Sequence, residues 1–214
     1  FVLYNKSNIP SRPQAIVAQN LKLPIKKIKK NKKNYSLILK SLLKGCQLLK
    51  KSKCKFIVIP CNTAHYWYDD LEKKINLPII NMPKEVFKHT LKKCKKKSSI
   101  GLLATEGTIK AKLYNKFFDK NYNLVFPDNI TQKKSVNKAI QLVKMGKVKS
   151  ANKVINKAIT YLIKKRCKKI ILGCTELPIA IFAFKSFKTI KSSKIFLDPN
   201  LILANAAMKK YKNR

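Results

Sequence analysis

Two of the six cysteines in this chain stand where a thiol could do chemistry. Cys61 and Cys174 each close a short apolar run, Phe56–Pro60 and Lys169–Gly173. Each is followed by small polar residues, Asn62 and Thr63 in one case and Thr175 and Glu176 in the other. A thiol at a strand's carboxyl end, just ahead of a helix, meets unpaired backbone N–H groups and a partial positive charge; these lower its pKa and bind carboxylates. Two such thiols opposed across a cleft suit one reaction. A thiolate takes a carbon-bound proton from one face of a substrate, and the opposing thiol returns a proton to the other face. Exchanging the roles runs the reaction backward, and a cysteine can hold either protonation state near neutral pH. Cys46, Cys54, Cys94 and Cys167 lack this polar setting and read as small apolar fillers.

An internal repeat relates the two cysteines. Residues 49–63 and 163–175 both carry a helix end, a cysteine (Cys54 or Cys167), an apolar strand and then, seven residues on, the second cysteine. A further strand follows each copy and ends in a similar step, Ile80-Asn81-Met82-Pro83 and Phe196-Leu197-Asp198-Pro199. The strand ahead of each copy is doubled as well: Phe1–Asn5 with Asn8-Ile9-Pro10 resembles 124–127 with Asn129-Ile130. Residues 99–108 and the helix after them have no counterpart before Phe1. The expectation is therefore a first lobe incomplete at its N-terminus, by one strand, its loop and one helix.

The elements that must position the cysteines alternate along the chain. Strands are expected at Phe1–Asn5, Phe56–Pro60, Pro78–Asn81, Ser99–Leu103, Asn123–Phe126, Lys169–Gly173 and Lys194–Leu197. Helical periodicity marks Tyr35–Lys51, Glu85–Cys94, Thr108–Lys120, Ser135–Gly146 and Val148–Arg166. Strands spaced by helices imply an α/β fold with mainly parallel sheets, which bind ligands beyond the carboxyl ends of their strands. The repeat divides this into two similar lobes related by a pseudo-twofold axis. The first spans residues 1–97, with 198–214 packing back on it, and the second spans 98–197.

Composition narrows the function classes. The formal net charge is +40, which invites a nucleic-acid reading. Yet the basic residues are almost all Lys, with Arg only at Arg12, Arg166 and Arg214, whereas base readout favours the planar guanidinium fork. Lys, Asn and Ile are inflated together, which spreads charge over solvated helix faces and argues against a specific nucleic-acid partner. No apolar run reaches the roughly 18 residues needed to cross a bilayer, and the first residues do not have the form of a signal peptide. Six scattered cysteines without a C-x-x-C pair point to a reduced, cytoplasmic setting. With His65 and His89 the two histidines, a Cys/His zinc site is not expected.

Pro60-Cys61-Asn62-Thr63-Ala64-His65 and Leu172-Gly173-Cys174-Thr175-Glu176-Leu177-Pro178 resemble the paired signatures of the aspartate/glutamate racemase superfamily. Residues 101–108 resemble the loop that opens the second lobe in its aspartate racemase branch. The resemblance runs from about residue 1 to the C-terminus. It implies cofactor-independent racemisation of an amino acid, two α/β lobes and a homodimer. Carried over residue by residue, Cys61 and Cys174 become the acid/base pair. Asn62, Thr63, Thr105, Thr108 and Thr175 would hold the α-carboxylate or amino group. Arg12 and Lys144 match the family's two cations for a side-chain carboxylate, a fork and a point charge that suit a dicarboxylic substrate. His65, one helical turn past Cys61, reads as an orienting group. Glu176 tunes Cys174, binds the substrate ammonium, or serves as a first-turn acid. The family's glycine-rich first strand-loop is not in the chain, and the Lys-rich segment Lys22–Asn34 is longer than usual.

Aspartate is the substrate this reading favours, with a glutamate, hydantoin or broad-specificity racemase or a maleate isomerase as alternatives. Two readings from other classes stay open: a basic nucleic-acid-binding protein, and an inactive remnant of a racemase.

Overall fold

The computed structural model describes residues 32–183 and 193–213. The expected strand Phe1–Asn5, Arg12 and most of the Lys22–Asn34 segment lie outside the described residues. Helix α1 (Lys32–Lys51) leads to strand β1 (Ile57–Val58), a 3-10 turn (Thr63–Trp67), α2 (Tyr68–Ile75), β2 (Ile79–Ile80) and α3 (Met82–Leu91). The second half runs β3 (Ser99–Ala104), α4 (Glu106–Lys110), α5 (Asn115–Phe118), β4 (Asn123–Val125), a helix α6 across 129–144, α7 (Val148–Lys164), β5 (Lys169–Gly173), α8 (Glu176–Phe182), β6 (Phe196–Leu197) and α9 (Pro199–Lys212).

The strands form two parallel sheets. β1 pairs with β2, and the second sheet has the order β4-β3-β5-β6. Alternation along each strand sorts side chains between two cores. Ile57 and Ile79 join Trp67, Leu71 and Ile75 under α1 and α2, while Val58 and Ile80 face Met82, Leu203 and Ala207. In the larger sheet, Leu103, Ile170 and Leu172 meet the Ala151, Ile155, Ala158, Ile159 and Leu162 face of α7. Ile100, Leu102 and Ile171 pack on the opposite side with Val86, Tyr114 and Phe118. Gly101 lets α7 approach, because a Cβ there would stand 2.7 Å from Leu162 Cδ1. Helix α9 packs on α3 and β2, and α3 touches both cores through Met82 on one side and Val86 on the other.

The repeat read from the sequence is present in the backbone. Helices α1 and α7 end alike, in a left-handed residue (Lys53 at φ 57°, Arg166 at φ 56°) followed by Cys54 or Cys167. The Cys54 and Cys167 amides donate to Leu49 O (3.1 Å) and Leu162 O (3.2 Å), the Schellman pattern in both copies. Likewise β2 and β6 each lead to a capping residue, Asn81 or Asp198, whose side chain accepts from the backbone of a helix with proline in its first turn.

One expected helix is corrected. Thr108–Lys120 is not continuous: α4 ends at Lys110, Lys112 takes a left-handed φ of 53°, and α5 restarts at Asn115. A single helix could not turn Thr108 to the front of the sheet and also bury Tyr114 and Phe118 against β3. Helix α6 starts earlier than expected, at 129, and passes through a π-helical stretch over Gln132–Asn137.

Candidate active site

The carboxyl ends of the two sheets face one another, and the candidate residues gather there. Register decides the first part. Ala104 pairs with Gly173, so Thr105 and Cys174 are neighbours just past the ends of adjacent parallel strands. From the other sheet, Thr63 Oγ1 lies 3.2 Å from Thr105 Oγ1 and 3.0 Å from Thr108 Oγ1. Thr105 and Thr108 are themselves 3.1 Å apart, and the Thr105 hydroxyl caps α4 by accepting from the Thr108 amide. Three hydroxyls from both halves thus meet in one cluster, with Cys61 two residues from Thr63 and Cys174 beside Thr105.

The two cysteines adopt the same turn. Cys61 N–H donates to Ile59 O and Cys174 N–H to Leu172 O, each at 2.8 Å. Neither cysteine is in a disulfide among the described residues; Cys61 is half-buried and Cys174 buried. Cys174 Sγ donates to Glu176 Oε2 at 3.0 Å, and Thr175 Oγ1 donates to the same oxygen at 2.9 Å. Glu176 is 8% exposed, a buried acid held at the first turn of α8. By contrast, burial pushes the Cys46 and Cys167 thiols up to about 11, which fits inert packing roles.

His65 is not aimed at a sulfur. Its Nε2 accepts from Met82 N–H (3.0 Å), which leaves Nδ1 to donate to Cys61 O (2.9 Å). Both ring nitrogens are engaged in holding the backbone, and burial drives the imidazole pKa below its usual value. Asn62 is 3% exposed; its Oδ1 accepts from Tyr114 Oη at 2.5 Å, and its Nδ2 is buried without a partner among the described residues. Lys144 lies exposed at the end of α6, outside the hydroxyl cluster.

Sequence reasoning missed three supporting residues. Tyr114 reads as one more apolar position in a helical segment, and only the break at Lys112 sends it to the lobe boundary. Gln132 and Asn137 are brought together by π-helical geometry, whose i→i+5 repeat aligns them. Gln132 Nε2 donates to Ala104 O (2.9 Å) and Asn137 Oδ1 (2.8 Å), and Asn137 Nδ2 donates to Glu106 Oε1 (2.8 Å). The chain of bonds braces the loop that carries Thr105. Among the described residues, no group of three His, Cys, Asp or Glu side chains could hold a metal ion. No helix among them is long and apolar enough to cross a membrane.

The profile of the Asp/Glu/Hydantoin racemase family matches residues 1–207. The chain belongs to that family. It is accordingly an isomerase, an amino-acid racemase. The chain is 26% identical over 172 residues to the broad specificity amino-acid racemase RacX of Bacillus subtilis, covering 80% of this chain and 71% of that protein. It is 30% identical over 128 residues to a glutamate racemase of Listeria monocytogenes, covering 58% of this chain and 46% of the relative. Among solved structures, Picrophilus torridus aspartate racemase superposes with a TM-score of 0.66 at 27% identity, over 81% of this chain and 69% of that one. An aspartate racemase homologue from Pyrococcus horikoshii shares the fold at 21% identity and a TM-score of 0.67, over 87% and 80% of the two chains.

Proposed function

We propose that this racemase interconverts L- and D-aspartate without a cofactor, by two-base proton transfer between Cys61 and Cys174. The observation that supports the reading is the inter-lobe meeting of Thr63, two residues past Cys61, with Thr105 and Thr108, at the end of the strand beside the one that leads to Cys174. Cys61 as thiolate takes the Cα proton from one face. Cys174 gives its thiol proton to the other face and is left as a thiolate beside Glu176. In the reverse direction Cys174 is the base and Cys61 the acid. Because its S–H already points at a carboxylate, Glu176 orients Cys174 and can hold its proton between turnovers. The hydroxyl cluster, Thr175 and the Asn62 amide bind the substrate's α-carboxylate and ammonium. Arg12 and Lys144 take the side-chain carboxylate. The likeness to an aspartate racemase at 27% identity, over 81% of this chain, supports aspartate as the substrate. The packing of α9 on α3 supports reading 198–214 as part of the first lobe.

The test is exchange of the Cα proton of L- or D-aspartate for deuterium in D₂O without pyridoxal phosphate. Cys61→Ala and Cys174→Ala should each slow racemisation by roughly a thousandfold or more, the range expected for a lost acid or base. Unchanged racemisation in both variants would overturn the two-thiol mechanism. Glutamate turned over faster than aspartate would reassign the substrate.

A further inference from the structure

Tyr114 takes no part in the proton transfers, yet its hydroxyl ties the two halves of the site together. It is fully buried, directly ahead of α5, and donates across the lobe boundary to Asn62 Oδ1 at 2.5 Å. An asparagine amide can turn over unless a neighbour tells oxygen from nitrogen. Tyr114 does so: with its proton given to Oδ1, Nδ2 is turned the opposite way. That Nδ2 is buried and has no hydrogen-bond partner among the described residues. A buried donor left unpaired is costly, so a group that enters the interface and accepts from it gains by doing so. Asn62 directly follows Cys61, and Tyr114 is near enough to Cys174 to feel its charge.

We propose that Tyr114 is a positioning residue for racemisation: its hydroxyl locks the Asn62 amide so that Nδ2 is presented beside Cys61 as a donor to the substrate's carboxylate. The inference rests on the racemase reading above. Burial, then the charges of Asp198 and Cys174, hold the phenol protonated well beyond its ordinary range, so it remains a donor at any working pH. The break at Lys112 then has a purpose, since it aims Tyr114 across the interface while Thr108 stays in the hydroxyl cluster.

The experiment compares wild type, Tyr114→Phe, Asn62→Ala and the double variant of the full-length protein. It records kcat and KM for aspartate, the equilibrium affinity for succinate as a non-reacting dicarboxylate, and Tm. Phenylalanine keeps the ring and removes the hydroxyl. Tyr114→Phe should raise KM and weaken succinate binding by roughly tenfold, the scale of one hydrogen bond to a charged group, with a smaller change in kcat. In the Asn62→Ala background the same change should add little, because the amide it orients is gone. A merely structural tyrosine would lower Tm and leave KM and succinate affinity unchanged in the folded protein; that result, or additive effects in the double variant, overturns the proposal. If wild type binds succinate and racemises while Tyr114→Phe matches it, this inference alone fails. If wild type neither racemises any amino acid nor binds succinate, the functional reading fails and takes this inference with it.

Discussion

At Cys61 and at Cys174 the backbone turns alike, each amide donating to the carbonyl two residues earlier at 2.8 Å, yet the residues around the two turns differ in kind. Cys174 has an acid against its sulfur, Glu176, 3.0 Å away. The nearest titratable side chain after Cys61, His65, grips the cysteine's carbonyl and leaves the sulfur alone. Glycine precedes Cys174 and proline precedes Cys61. Gly173 sits in a central strand, where a Cβ would stand 2.9 Å from Leu102 Cδ1 and 3.0 Å from Ala104 Cβ. Pro60 lies past the end of β1, where it forfeits no ladder hydrogen bond. The repeat keeps the same backbone turn at each cysteine and gives each copy its own polar neighbours. The proposed two-thiol mechanism gives that difference a use, since its two bases would meet opposite faces of one carbon.

Glu176→Gln is the strongest challenge to this comparison. If the carboxylate orients and holds the Cys174 proton, the rate should fall roughly ten- to a hundredfold, within the range of an assisted proton transfer. Enantiomers have an equilibrium constant of one, so kcat/KM must fall equally from L and from D. The asymmetry should appear instead as unequal changes in kcat and KM for the two enantiomers. Equal changes in both directions would mean the two ends are functionally alike.

A smaller effect is expected from Gly173→Ala. The added methyl has to displace Leu102 or the strand itself, at a cost of about 1–3 kcal/mol. The loss should show as a lower urea midpoint together with reduced activity, because Cys174 is the next residue. Pro60→Ala, in contact with no such constraint, should change the midpoint much less. Similar losses at both positions would remove the steric side of the comparison.

The smallest expected effect concerns His65 and pH. Burial lowers its pKa in the folded state, and its Nε2 must stay unprotonated to accept from Met82 N–H. A group with a depressed folded pKa stabilises the fold fully above its unfolded value, about 6.5, and loses that contribution as pH falls through the folded value. The stability advantage of wild type over His65→Gln should therefore shrink below about pH 6.5, by a few degrees in Tm at most. An advantage that stayed constant from pH 8 to pH 5 would show that folding does not lower the pKa of His65.

How much could be read in advance differs between backbone and contacts. The strands at β3 and β5, the long helix α7 and the repeat were legible because apolar periodicity and a recurring Cys spacing are local signals. The four predicted threonines (Thr63, Thr105, Thr108 and Thr175) and both cysteines follow strand ends, where parallel sheets expose their carboxyl ends to ligands. The split of Thr108–Lys120 was not legible, because Lys112 carries no mark of a left-handed residue. In a chain with only five glycines, lysine, asparagine and arginine take such positions at a modest strain cost.

The sequence by itself determined which residues could do the chemistry: two cysteines at equivalent strand ends, each with small polar neighbours, in an α/β chain of known periodicity. Tertiary structure decided how those residues are used. It brought Thr63 onto Thr105 and Thr108 from residues more than forty apart, set Glu176 against Cys174 and turned His65 away from Cys61. It also sent Tyr114 across the lobe boundary to Asn62. The physical reason is that periodicity encodes which face of an element is buried, whereas a hydrogen bond between lobes depends on how two independently formed sheets come to face each other.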